Sequence, residues 1–222
     1  CAIVPMNIDF IILAAGKGTR MGGNSPKVLA NLAGKPMIQH LIDTVETFPT
    51  AKTSVIVGHK AKEVESSIYS EKKINYVIQK NQLGTAHAVK QATPFLRKNS
   101  VSVVLYGDAP LVTRKTLSKL VNSAASGKIT LLTYKKEDPS GYGRILRGPK
   151  QNVEKIIEHK DASTKEKEIQ EVNSGILAVK TTTLQRLLPS IKNNNMAKEY
   201  YLTDLIEIAN QHSIGVSATL CE

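Results

Sequence analysis

The chain has 222 residues, 41% of them hydrophobic and 22% charged, a makeup that excludes intrinsic disorder and a collagen-like fibre and is long enough to bury a core without covalent staples. Its two cysteines, Cys1 and Cys221, stand at opposite ends, which excludes a disulfide scaffold, and no apolar run approaches the ~20 residues of a membrane span. The net charge of +11 is lopsided, +9 over residues 1–120 and +2 over 121–222, so a polyanionic small molecule is the expected ligand.

In chain order, the first half alternates two periods. Unbroken apolar runs at 8–14, 54–57, 74–78 and 101–106 predict strands buried on both faces. Helix-period stretches at 37–48, 61–69 and 85–96 lie between them, and another at 113–125 follows the fourth run. In the first, Met37, Leu41, Thr44, Val45 and Phe48 predict the docking face. Past residue 125 the pattern loosens. Strands are predicted at 128–135, 153–158, 176–179 and 214–218, with a turn-rich DPSGYGR, a charged solvated stretch at 160–171 and a helix at 204–210. Strands alternating with helices imply an α/β fold with a mostly parallel sheet, helices on both faces and a second-half insertion lobe. No linker or repeat divides the chain, so residues 1–222 are expected to form one domain.

Ligands of open parallel sheets bind outside the carboxyl ends of the strands, and unusual segments fall there. LAAGKGTRM and SPKVL follow the first strand; Gly16 and Gly18 let backbone N–H groups approach an anion, and Arg20 and Lys27 supply positive charge. Met21 stands where a dinucleotide fingerprint needs Gly, and no GxxxxGK[ST] is present. In QKNQLGTAHAV, Gln79 and Gln82 can read a base edge, while Gly84 and Thr85 offer backbone access and a helix N-cap. His87 is read as a packed helix residue rather than a catalytic base. In LYGDAPL, Asp108 ends a buried strand beside Pro110. A single carboxylate there suits Mg²⁺, which keeps several waters and needs few protein groups. Gly143, Glu158, Asn173 and Thr203 lie in GYGR, EHKDA, EVNSGI and EYYLTD, groups suited to a neutral ligand with many hydroxyls. With no Trp and 5% aromatics, nucleic acid is not an expected partner.

These segments, in order and spacing from about Phe10 to Asp204, resemble the uridylyltransferase domain of the bacterial bifunctional N-acetylglucosamine-1-phosphate uridyltransferase/glucosamine-1-phosphate acetyltransferase family. The resemblance implies a Rossmann-like cytoplasmic enzyme of cell-wall precursor synthesis. It would join UTP to N-acetylglucosamine 1-phosphate with Mg²⁺, its nucleotide half at about 8–125 and its sugar half at about 126–222. Carried over position by position, Leu13, Ala14, Ala15 and Gly16 line the nucleotide, and Gln79, Gly84 and Thr85 lie near uracil. Tyr106, Gly107 and Asp108 stand where sugar and metal meet. Gly143, Glu158 and Asn173 hold the sugar, with Thr203 a further contact. Arg20 and Lys27 neutralise triphosphate charge, and Asp108 is the metal ligand.

Two departures bear on these expectations. Ala86 replaces the family's usual Gly in GTGHA, a change expected to be tolerated. The family's second metal-ligating residue, an Asn after the final strand, and its trimer-forming left-handed β-helix acetyltransferase domain are not in the sequence, which runs to Glu222. An unusually high Mg²⁺ requirement and no acetyltransferase activity are the resulting expectations. The alternatives are a nucleotidyltransferase for another sugar 1-phosphate, or a nucleotide-binding module with little catalysis.

Overall fold

The computed structural model describes residues 6–16 and 25–221. Cys1, Gly18, Arg20 and the rest of LAAGKGTRM past Gly16 lie outside the described residues.

The first half runs β1 (Asn7–Ala14), a small hairpin of β2 (Asn31–Leu32) and β3 (Lys35–Pro36), α1 (Met37–Glu46), β4 (Ala51–Val57), α2 (Ala61–Ser66), β5 (Ile74–Ile78), α3 (Thr85–Ala92), β6 (Ser100–Tyr106) and α4 (Arg114–Ala125). The second adds β7 (Ile129–Lys135), β8 (Arg144–Arg147), β9 (Val153–Ile157), α5 (Thr164–Lys167), β10 (Glu171–Lys180), α6 (Thr181–Leu187), α7 (Leu205–Gln211) and β11 (Val216–Leu220).

Phe10, Ile11 and Ile12 leave β1 no polar face, so it takes the centre of the sheet, where helices cover it on both sides. The main strand order is β5-β4-β1-β6-β10-β7-β11, with every pairing parallel except the two made by β10. The β8–β9 ribbon extends from β10 through antiparallel pairs. Alternate β1 residues feed opposite layers. Phe10 and Ile12 join Ile38 and Leu41 of α1 and Leu117 and Leu120 of α4, while Ile11 joins Val89 of α3, Leu184 of α6 and Leu205 of α7. Each such buried side chain contributes roughly 1.5–3 kcal/mol.

The edge opposite the strands' carboxyl ends is tied by charge. Asp9 is almost fully buried, and its carboxylate accepts from the backbone N–H of Arg97 at 2.7 Å, Arg97 Nε at 2.8 Å and Ser100 Oγ at 2.6 Å. A buried carboxylate is tolerable because all these donors converge on it.

Several sequence expectations are corrected. β5 is the sheet's edge strand and is not buried on both faces; Ile78 is 57% exposed. The α1 docking face is Ile38, Leu41, Ile42 and Val45, with Met37 and Thr44 at its margin. The helix expected over 85–96 leaves α geometry at Ala92 and finishes in a 3₁₀ turn containing Pro94, which has no N–H to continue the ladder. That over 61–69 stops at Ser66. The strand expected at 176–179 begins at Glu171 and carries a register shift between Asn173 and Leu177, so the segment around Gly175 is a bulge inside one strand. β8 and α6 were not read from the sequence. Among the described residues, no helix is long and apolar enough to cross a membrane.

Candidate active site

After β5 the chain crosses back over β1 through α3 to form β6 on its other flank, so the carboxyl end of β1 is a topological switch point, where a crevice must open. A cleft of about 340 Å³ lies there. It gathers ten of the sequence-predicted site residues: Leu13, Ala14, Ala15, Gly16, Lys27, Gln79, Gly84, Thr85, Tyr106 and Asp108. Val28, Gln82, Ala88 and Glu199 complete it. Gly107 lies beneath: its N–H donates to Leu13 O at 2.9 Å, and a Cβ there would meet Val28 Cγ1 at 2.8 Å.

Lys27 sits on a 3₁₀ turn that starts after Pro26, and Asp108 follows the last residues of β6. Lys27 Nζ donates to Asp108 Oδ2 at 2.6 Å, and both side chains reach solvent. The two groups expected to handle phosphate charge and metal therefore hold each other. Gln79 is buried at the end of β5, and its Nε2 donates to Gly84 O at 3.2 Å and lies 2.9 Å from His87 Nδ1. An accepting His87 Nδ1 would occupy the second amide hydrogen and leave the amide oxygen for the cleft. Gln82 instead donates to Ala15 O at 2.6 Å, tying its loop to the end of β1.

Gly84 cannot carry a side chain. Its φ is +113°, and a Cβ would stand 2.5 Å from Tyr200 O. Backbone bonds explain the approach: Tyr200 N donates to Leu83 O at 2.8 Å, and Ala86 N donates to Tyr200 O at 2.9 Å. Thr85 is the first residue of α3 rather than its N-cap, and its hydroxyl accepts from Leu202 N at 2.9 Å.

The antiparallel direction of β10 brings its beginning to the same edge of the sheet as the end of β6. Gly175, at φ +85°, lies so close to the Tyr106 ring that a Cβ would be 2.5 Å from it. Asn173 and Thr203 share a small cavity with Tyr106, which also lines the main cleft. Thr203 Oγ1 donates to Glu158 Oε1 at 3.0 Å, and a Cβ on Gly143 would stand 3.4 Å from that oxygen. The second-half residues thus converge beside those of the first half. Burial raises the Glu158 carboxyl above its ordinary range, opposed by the Thr203 hydrogen bond and reinforced by Asp161 and Glu199. Burial pushes Asp204 up to about 6, with Glu207, Glu158 and Asp161 adding to it. Burial also raises the Tyr106 phenol, with Glu158 and Asp108 adding to it against a hydrogen bond to Thr85.

The cleft is therefore polarised. Lys27, in its pair with Asp108, and the backbone at Gly16 and Gly84 stand at one end; beside the other, past Tyr106, lie Glu158, Asn173 and Thr203. Anionic phosphate is attracted to the first end, and a neutral hydroxylated group suits the second. Glu199, the first residue of EYYLTD, also lines the cleft, and no local sequence signal marks it as a cleft residue.

A crevice of this kind at the switch point of a mostly parallel sheet, with one antiparallel strand, is the nucleotidyltransferase type of α/β fold. Solved structures of that type superpose over nearly the whole chain. A UDP-glucose pyrophosphorylase complexed with UDP-glucose has a TM-score of 0.74 at 17% identity, covering 93% of this chain and 88% of its own. A putative glucose-1-phosphate thymidylyltransferase from Bacillus anthracis has a TM-score of 0.76 at 19% identity, covering 97% and 87%. The chain belongs to the MobA-like NTP transferase domain family, whose model matches residues 10–173. It is 46% identical over 209 residues to the bifunctional protein GlmU of Cellvibrio japonicus and 45% identical over 211 residues to that of Alcanivorax borkumensis. Those alignments cover 94% and 95% of this chain but 46% of each relative, so the chain spans about half the length of the curated relatives it matches.

Proposed function

We propose that this chain transfers the uridylyl group of UTP to N-acetylglucosamine 1-phosphate, forming UDP-N-acetylglucosamine and pyrophosphate. The observation that carries the reading is the polarised cleft, in which Gln79, Lys27 and Asp108 from three separate segments meet. The identity of 45–46% to bifunctional GlmU over nearly the whole chain supports it.

The Gln79 amide oxygen accepts from uracil N3–H, and the backbone at Gly84 pairs with a neighbouring carbonyl. Lys27, and Arg20 outside the described residues, neutralise phosphate charge. Asn173, Thr203, Gly143 and Glu158 hold the sugar. The acceptor is a phosphate monoester whose second pKa is near ~6, so it is already largely dianionic at neutral pH and needs no protein base. Its oxygen attacks the α-phosphorus in line and pyrophosphate leaves. The protein acts by positioning and by preorganised charge.

Asp108 fits one role further. It offers hard oxygen donors, and among the described residues no three His, Cys, Asp or Glu group together to cage a metal. Such a site suits Mg²⁺, which takes most of its ligands from water and substrate phosphates. When bound, Mg²⁺ would align phosphate oxygens and neutralise their charge. We place the reaction in the cytoplasm and assign no nucleic-acid or membrane partner.

Pyrophosphate release is to be measured with four NTPs and a panel of sugar 1-phosphates, with Mg²⁺ titrated. UTP with N-acetylglucosamine 1-phosphate should be preferred. Equal use of ATP, CTP or dTTP would refute the base assignment. A better sugar 1-phosphate would make the chain a related nucleotidyltransferase, and UTP binding without product would make it a binding module.

A further inference from the structure

His87 stands behind Gln79, away from the main cleft. It is half-buried on the first turn of α3 and borders a separate cavity of about 500 Å³ with Lys90, Leu188, Lys192 and Tyr200. It is not among the residues lining the 340 Å³ cleft. What it does touch is the amide expected to read the base: Nδ1 lies 2.9 Å from Gln79 Nε2. The same Nε2 lies 3.2 Å from Gly84 O, which can only accept. That carbonyl identifies the amide nitrogen, so a hydrogen bond between the two side chains has Nδ1 as the accepting ring nitrogen. Gln91 Nε2, which donates to His87 O at 3.2 Å, also lies 3.2 Å from His87 Nε2. Since a neutral imidazole accepts at only one nitrogen, the shorter 2.9 Å contact to Gln79 assigns that role to Nδ1 and the proton to Nε2. With both hydrogens of its amide held, Gln79 can present only its oxygen to the cleft.

We propose that His87 is the positioning residue for Gln79, locking the amide so that the site accepts a pyrimidine offering N3–H and rejects one offering a bare N3. Uracil has the N3–H and cytosine does not. A cytosine would set its N3 lone pair against the amide oxygen, and a buried polar group left unpaired in this way discriminates strongly. Without the imidazole, the amide keeps only the Gly84 bond, and it can turn over to offer N–H to cytosine. The proposal rests on the reading of the cleft as a uridine nucleotide site.

The test compares kcat/KM for UTP and CTP in the purified protein and its variants. Because both substrates are measured on one preparation, any loss of folded protein cancels in the ratio. In His87→Phe, which keeps the bulk but not the acceptor, the UTP/CTP ratio should fall at least tenfold, with KM for UTP rising more than kcat falls. In His87→Asn, whose side chain can place an acceptor near the position of Nδ1, most of the selectivity should return. Gln79→Ala should lower the ratio too, and His87→Phe should lower it no further in that background, since both act through one amide. A His87→Phe variant with the wild-type ratio, or additive losses in the double variant, would overturn the proposal. Wild-type protein that uses UTP and CTP equally would remove the nucleotide-site reading itself, and this proposal with it.

Discussion

Lys27 and Asp108 form an ion pair in the cleft, 2.6 Å long, and both are open to solvent. An exposed pair of this kind adds little to stability, about 0–1 kcal/mol. Lys27→Ala should therefore leave the melting temperature nearly unchanged. If the ammonium meets phosphate charge mainly in the transition state, kcat should drop by roughly 10²-fold or more. A variant with wild-type kcat and a lowered melting temperature would assign Lys27 to the fold instead. Asp204 behaves in the opposite way. Its carboxyl is held at about 6 against an ordinary 3.8, chiefly by burial, so ionising it opposes folding. The cost is absent below the unfolded pKa, grows through the window from 3.8 to about 6, and is complete above it. After discounting for partial exposure this is about 1–2 kcal/mol, larger than the ~0.5 kcal/mol a charge at the start of α7 gains from the helix dipole. Asp204→Asn should raise the melting temperature at pH 7.5 and leave it unchanged at pH 4. An equal difference at both pH values would contradict the sign argued here.

At the scale of elements, the segment joining β5 to α3 is the most constrained in the cleft. Gly84→Ala places a methyl group on a backbone at φ +113° and 2.5 Å from Tyr200 O. Strain and the loss of that approach should cost about 2–4 kcal/mol, read as a lower urea midpoint with unchanged slope. The parallel half of the sheet was legible in the sequence because its strands are unbroken apolar runs and its turns carry glycine, proline and polar residues. The positions of Gln79 and Asp108 followed from the same logic, since each stands just past such a run. What could not be read was set by pairing across long intervals. The lone β-breaking Gly175 hid the first half of β10, and with it the antiparallel strand that carries Asn173 to Tyr106. The Lys27–Asp108 pair spans 81 positions, and no local pattern announces such a contact. His87 was read as a packed helix residue, and its bond to Gln79 became visible only with α3 and β5 in place.

At the scale of the whole molecule, the two halves of the chain are joined at the mouth of the cleft by the backbone bonds of Tyr200 to Leu83 and Ala86. The amides of Ala86 and Tyr200 should exchange with solvent slowly and together, at rates set by one shared opening. Independent rates for the two, measured by hydrogen exchange, would show that the halves part separately. These bonds work as a rivet. A jaw-like opening between first and second halves would have to break both and draw Tyr200 out of the notch left by Gly84. On the proposed function, the ends assigned to base and sugar would thus keep a constant separation, and a ligand that reaches both would be gauged against a ruler that does not stretch. A nucleotide sugar of the wrong length would be excluded by its span before any single contact could reject it.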